Sequence, residues 1–214
     1  MNSTLKTKYE CFSPRIYEEM YAVLDANVAP ESKILDLGPY EGNLETHLDS
    51  LGYAFDIDAV DVDEAALKVL AAKQFENISV SITHADGNEF LAAYVKQVDI
   101  VLSSASIHEM NDSTRQWSYM NWFFAEANRI LVIGGKVVIG DLYFPDSISD
   151  EVVEDFRKWQ WEAIKHASSR EQFVYPELIE ETALANGFEL VSKKEIRAMK
   201  EIDRRYYVFV LQKA

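Results

Sequence analysis

The sequence predicts an α/β fold: a mostly parallel sheet with helices on both faces. Three observations carry that expectation. Short apolar runs suited to buried strands alternate with segments whose apolar residues recur at helical spacing. The gaps between the runs leave room for one crossover helix each, the signature of right-handed parallel units. Four successive runs also end in Asp36 and Gly38, in Asp61, in Asp86, and in Ser103 and Ser104. These are residues at or near the carboxyl ends of strands, where open α/β sheets bind ligands.

The elements run in order along the chain. Ser13 can cap a first helix, Pro14 suits its first turn, and Ile16, Met20, Val23 and Leu24 keep helical spacing. Asn27 to Ser32 turns the chain into the stretch that organises the rest, Lys33 to Gly42. There Ile34, Leu35 and Leu37 read as a buried strand, the glycines break it, and Asn43 to Leu48 resumes as a helix ending near Leu51-Gly52. Glycine permits a tight turn and the close approach of a ligand to the main chain. A helix start offers unpaired N–H groups. Such turns serve a nucleotide pocket or plain architecture.

The second strand, Phe55 to Val62, closes on Asp61-Val62-Asp63, with Asp61 nineteen residues after Gly42. An acid at about that distance accepts hydrogen bonds from ribose hydroxyls in nucleoside-binding folds, and Asp63 can cap the helix from Ala65 to Lys73. A third strand, Ser79 to Thr83, leads to Ala85-Asp86-Gly87 and a helix from Asn88 to Val95. The fourth, Val98 to Leu102, opens into Ser103 to Asp112, which includes His108. A helix from Arg115 to Leu131, the pair Gly134-Gly135 and a fifth strand from Lys136 to Gly140 end at Asp141. Beyond an insertion, Pro145 to Ala185, lie strands Gly187 to Lys193 and Arg204 to Gln212.

Composition narrows the function. A chain of 214 residues, 48% hydrophobic and 12% aromatic, fills one α/β domain and is short for two. Asp+Glu of 36 against Lys+Arg of 21 gives a net charge of −15, a field that repels nucleic acid and anionic lipid. The basic residues of Lys193 to Arg197 and Arg204-Arg205 are interleaved with acids and read as a solvated charged face. The single cysteine, Cys11, excludes a disulfide framework and a cysteine-based zinc cluster. No apolar run approaches the ~20 residues of a membrane span, and Met1 to Glu10 lacks the apolar core of a signal peptide. A cytoplasmic location, no nucleic-acid or membrane partner, and no metal are therefore expected. Oligomeric state is not legible.

With these residues in order, the chain resembles the class I S-adenosylmethionine-dependent methyltransferases from about Ile34 onward. Lys33 to Gly42, Ala59 to Asp63, Ala85 to Gly87, Asp99 to Ser104 with His108, and Ala127 to Asp141 follow that family's motifs in sequence. The resemblance implies a Rossmann-like seven-stranded sheet of order 3-2-1-4-5-7-6, its last strand antiparallel. It would form a single domain over residues 1–214, with a helical cap at 1–30 and a helical insertion at 145–185. It also implies S-adenosyl-L-methionine as cofactor. Gly38 and Gly42 would line the methionine part, Asp36 would brace the loop, and Asp61 would take the ribose hydroxyls. Asp86 would accept from the adenine amino group with the Gly87 N–H near the ring, Val62 would lie on the adenine face, and the main chain at Ser104 would meet the ammonium. The family's middle glycine is Tyr40 here, stiffened by Pro39, so Tyr40 becomes a candidate ligand contact. A nicotinamide-type G-x-G-x-x-G fingerprint is not met.

Methyl transfer asks the protein to align an acceptor, exclude water and, where needed, take a proton. His108 is the candidate base or a structural helix-start histidine. Asp141 orients substrate or caps the segment after it. Tyr9, Tyr17, Tyr143 and Trp159 are the candidate substrate contacts, from the first helix, the strand-five rim and the insertion. A small-molecule methyltransferase is the leading expectation. The alternatives are an enzyme using the cofactor as substrate in a non-methylating reaction (cyclisation or lyase) and a non-catalytic binding module.

Overall fold

The computed structural model describes residues 13–111, 116–164, 172–199 and 203–214. Cys11 and the substrate candidate Tyr9 lie outside them. Helix α1 (Ser13–Asn27) precedes strand β1 (Lys33–Leu37), α2 (Asn43–Ser50), β2 (Phe55–Asp61), α3 (Glu64–Ala72), β3 (Ile78–His84), α4 (Gly87–Ala93) and β4 (Val98–Ser104). The single turn α5 (Ile107–Met110) and α6 (Gln116–Ile130) lead to β5 (Leu131–Tyr143), α7 (Asp150–Ile164), α8 (Pro176–Ala185), β6 (Phe188–Met199) and β7 (Arg204–Lys213).

The seven strands form one sheet of order β3-β2-β1-β4-β5-β7-β6, as the motif resemblance implied. The first five are parallel, and β7 pairs antiparallel with both β5 and β6. Central strands covered on both faces must be apolar throughout, and Ile34, Leu35, Leu37, Val101, Leu102, Val137 and Val138 are almost fully buried. Asp63 caps α3 by accepting from the N–H groups of Ala65 and Ala66, and Asp86 caps α4 through those of Asn88 and Glu89. Each satisfies donors that a helix start leaves open. Among the described residues no helix is long and apolar enough to cross a membrane.

Two expectations need correction. Strand β5 begins at Leu131 instead of Lys136, because Val98 pairs with Leu131 and Ile100 with Lys136. The extra residues bulge out through Gly134, whose φ of +76° suits glycine. Arg204 is not on a solvated charged face. It is 2% exposed, and its guanidinium lies over Phe156 at 4.7 Å, Phe173 at 5.3 Å and Phe144 at 5.5 Å. The other basic residues of that cluster are ion-paired and exposed, except the half-buried Arg205: Arg205 with Glu195 and Asp203, Arg197 with Asp203, Lys193 with Glu180, and Lys194 with Glu19.

Candidate cofactor and active site

The carboxyl ends of β1, β2 and β4 bring the first group of candidates together. The turn after β1 is left-handed three times, at Gly38 (φ +88°), Tyr40 (φ +53°) and Gly42 (φ +76°). A non-glycine residue in that region costs roughly 1–2 kcal/mol, and the chain holds Tyr40 there with a hydrogen bond from its N–H to Asp61 Oδ2 at 3.0 Å. The Gly42 N–H closes the turn on the Pro39 carbonyl at 3.0 Å. The Tyr40 side chain stands half exposed, and Val62 is 71% exposed beside Asp61, an apolar surface at the lip of the edge.

The glycines are required here by the chain itself. A Cβ on Gly38 would stand 2.4 Å from Ser106 Cβ, and one on Gly42 would stand 2.3 Å from Leu70 Cδ1. Ser106, which the sequence reading passed over, binds the loop from below. Its Oγ donates to the Leu37 carbonyl and meets Ser103 Oγ, both at 2.6 Å.

Asp61 and Asp86 both retain acceptor capacity. Asp61 takes one main-chain N–H on each oxygen, from Tyr40 on Oδ2 and from Asp63 on Oδ1 at 2.9 Å. An ionised carboxylate has about four acceptor positions, so two stay open for vicinal hydroxyls. Both helix-capping bonds of Asp86 fall on Oδ1, which leaves Oδ2 for an amino group. Gly87 opens α4 with Met110 Cε at 2.9 Å from its absent Cβ, so Met110 lies against the same end. Ser104 pairs with Gly140 where β4 ends. These residues fit an adenosine-bearing ligand: a turn of exposed main chain, two carboxylates with free acceptor positions, and an apolar lip.

A second cluster lies where β4 and β5 finish. His108 is 6% and Asp141 0% exposed. Asp141 Oδ1 meets His108 Nδ1 at 2.6 Å, and Asp141 Oδ2 accepts the His108 main-chain N–H at 2.9 Å. On its other side His108 Nε2 meets Glu109 Oε1 at 2.8 Å, and the Glu109 side chain is 34% exposed. Burial pulls the imidazole pKa down, but Asp141 first and Glu109 second more than offset that and hold it up at about 9. The ring is thus an imidazolium near neutral pH, stacked on Phe173 at 5.2 Å. With both ring nitrogens engaged, His108 has no lone pair to offer an acceptor in this arrangement.

The remaining candidates are packed against neighbours of their own. Tyr17 stacks on Tyr21 at 6.0 Å. Trp159 is half-buried on Phe156 at 5.3 Å, whereas Trp161 is exposed. The Tyr143 hydroxyl donates to Glu195 of β6, and its ring packs on Tyr175 and Tyr207. Asp36 is buried against Glu45, a fully buried acid on α2 that the sequence reading did not single out. At the opposite edge, a cleft of about 420 Å³ has its acid Asp58 already bound by Lys96 and Tyr94.

Residues 35–139 match a family described as a methyltransferase domain, and the sheet has the strand order that the resemblance to the class I S-adenosylmethionine-dependent methyltransferases implied. No curated protein matches the sequence. Among solved structures it is similar to a mycolic acid cyclopropane synthase, CmaA1, complexed with SAH and CTAB, at 15% identity and a TM-score of 0.66 over 92% of this chain and 85% of that one. It is also similar to a SAM-dependent methyltransferase from Methanosarcina mazei (12% identity, TM-score 0.59, 89% and 96% covered). A third likeness is to the [4+2]-cyclase SpnF (12% identity, TM-score 0.64, 91% and 80% covered).

Proposed function

We propose that this chain binds S-adenosyl-L-methionine along the edge built by Gly38–Gly42, Asp61 and Asp86, and transfers its methyl group to a small organic acceptor. The observation that carries the reading is the convergence of that turn with two carboxylates whose acceptor positions are only partly used. Asp61 takes the ribose hydroxyls. Asp86 Oδ2 takes the adenine amino group with the Gly87 N–H nearby, Val62 covers the ring, and the Gly38-to-Gly42 turn with Pro39, Tyr40 and the Ser104 main chain holds the methionine part. The cofactor supplies an activated methyl on a sulfonium, so the difficult chemistry resides in it.

The chain's own residues must then position an acceptor and manage its proton. Asp141 holds His108 by ring and main chain together, and His108 holds Glu109, whose carboxylate is the exposed end of the row. An acceptor proton therefore goes to Glu109, with the imidazolium behind it stabilising the charge. Helix α7 with Trp159, α1 with Tyr17, and the rim at Tyr143 shield the acceptor from water. In this reading residues 1–214 form one catalytic domain capped by 1–30 and 145–185, and the acidic chain works in the cytoplasm on a small molecule. The buried, doubly bonded His108 also favours a second reading, a reaction needing no base, such as the cyclisation that names one structural neighbour.

Calorimetric titration with S-adenosylmethionine and its demethylated product tests the cofactor site. Asp61→Ala is expected to weaken binding by roughly 1–3 kcal/mol, the cost of unpaired donors; unchanged affinity would remove the ribose assignment. Mass spectrometry of products then separates a methylated acceptor from methylthioadenosine or an unmethylated cyclised product.

A further inference from the structure

Beneath the turn between β1 and α2, two acids are packed with no cation between them. Asp36 is 1% and Glu45 0% exposed. Glu45 Oε2 lies 3.5 Å from where a Cβ on Gly42 would stand, so its carboxyl rests against the turn itself. Asp36 Oδ1 and both Glu45 oxygens receive no hydrogen bond from any third residue among those described. The Glu45 main-chain N–H acts on its own carboxyl, and a further bond runs between the two carboxyls, which requires one of them to carry a proton. Lys73 hydrogen-bonds the Gly42 carbonyl at 2.8 Å and Thr46 Oγ1 at 3.0 Å instead of either acid, and from there its charge only partly offsets the rise at Glu45. Asp61 adds a third negative charge from the neighbouring strand end. Two adjacent carboxylates in a dry site repel too strongly for both to ionise, so the pair keeps one proton.

A positive charge placed over the turn changes that balance. S-adenosylmethionine and S-adenosylhomocysteine share adenosine, carboxylate and ammonium, and differ in the methyl group and in the charge on sulfur. Building on the cofactor reading above, we propose that the Asp36–Glu45 pair senses the charge of the bound cofactor, keeping its shared proton with the neutral thioether and releasing it to solvent when the sulfonium is bound. The pair thereby ties affinity for the charged form, relative to the spent one, to pH. A site that gives up a proton on binding gains affinity as pH rises.

Titration calorimetry in buffers of different ionisation enthalpy, from pH 5.5 to 8.5, counts the protons. The wild-type chain is expected to release more protons with S-adenosylmethionine than with S-adenosylhomocysteine. The ratio of their dissociation constants should move in favour of the sulfonium as pH rises, by up to about tenfold per unit. In Glu45→Gln the difference in proton count and the drift of the ratio should both vanish. Any contribution from His108 survives that substitution and is so separated. Equal proton counts with a flat ratio in the wild type, which need no variant to fold, would overturn the proposal. So would a pH dependence left unchanged in Glu45→Gln. If neither ligand binds the wild type, it is the cofactor reading that falls, a distinct outcome.

Discussion

Two acid clusters, one wholly buried and one with an exposed end, sit at the same edge of the sheet and solve one problem in opposite ways. Asp141 and Glu109 flank a histidine that becomes a cation, so within the row Asp141–His108–Glu109 each acid has a cation beside it. Asp36 and Glu45 have no such partner: burial pushes both carboxyls up, the neighbouring Glu45 adds to the rise at Asp36, and Asp36 in turn holds Glu45 down, so a proton takes the place of a cation. A desolvated charge costs several kcal/mol unless paired. The first cluster is consequently rigid and charged, whereas the second can change its charge. That difference suits the first to holding an acceptor's proton outlet and the second to sensing what lies over the turn.

The largest expected effect comes from breaking the compensated cluster. Asp141→Ala leaves the His108 ring buried with only Glu109 and removes the acceptor of its main-chain N–H. Losing one partner of a buried pair typically costs about 3–5 kcal/mol, and urea denaturation at pH 7 is expected to show a loss at the lower end because Glu109 remains. NMR titration should find the His108 pKa well below its present value of about 9. An imidazole that still titrated there would show that Asp141 is not what holds it charged.

A smaller effect is expected where a cation is compensated by rings. Arg204 lies over three phenylalanines, one of which, Phe173, also stacks on His108. Each buried cation–π contact is worth roughly 0.5–2 kcal/mol, and the arginine stem adds packing. Arg204→Met keeps the stem and should cost about 2 kcal/mol, read from the denaturation midpoint. Because Phe173 bridges the two, the His108 titration should move slightly in the same variant. A stability equal to wild type would mean that the rings stabilise a methionine as well as the guanidinium.

The contrast between clusters also explains what the sequence made legible. Strands β1 to β4 were readable because each is a short apolar run ending in an acid or glycine, and that same punctuation marked Asp61 and Asp86. Strand β5 was cut short since Gly134-Gly135 reads as a turn, while the structure bulges those residues out and resumes pairing. Glu45 was missed because an acid on a short helix reads as solvent-facing. Its place beside Leu44 and three residues before Leu48, both buried, was the available signal. Arg204 was misplaced by averaging over a charged neighbourhood, although strand alternation aligns it with Tyr206, Val208 and Val210, all buried. His108 and Asp141 were each singled out, but nothing local announces a pairing across 33 positions. Sequence periodicity reports the face a residue occupies far better than the partner it meets there.

The last and smallest effect separates the clusters by pH. For His108 the folded pKa of about 9 exceeds the ordinary 6.5, so its contribution is fully present below 6.5 and is lost as pH rises through 9. For Asp36 and Glu45 the folded values are also raised, which for acids means a penalty that sets in above the ordinary carboxylate range and grows until pH reaches the folded values. Both slopes thus run the same way, and thermal stability should decline from mildly acidic to alkaline pH. Glu45→Gln distinguishes them: its amide can donate to Asp36, which removes the need for a shared proton, and should stabilise the chain at alkaline pH. The early part of the alkaline decline should disappear and the part near pH 9 remain. Should Glu45→Gln instead lose stability at every pH, the two acids would be held by something other than a common proton, and the likeness between the clusters would be closer than their partners suggest.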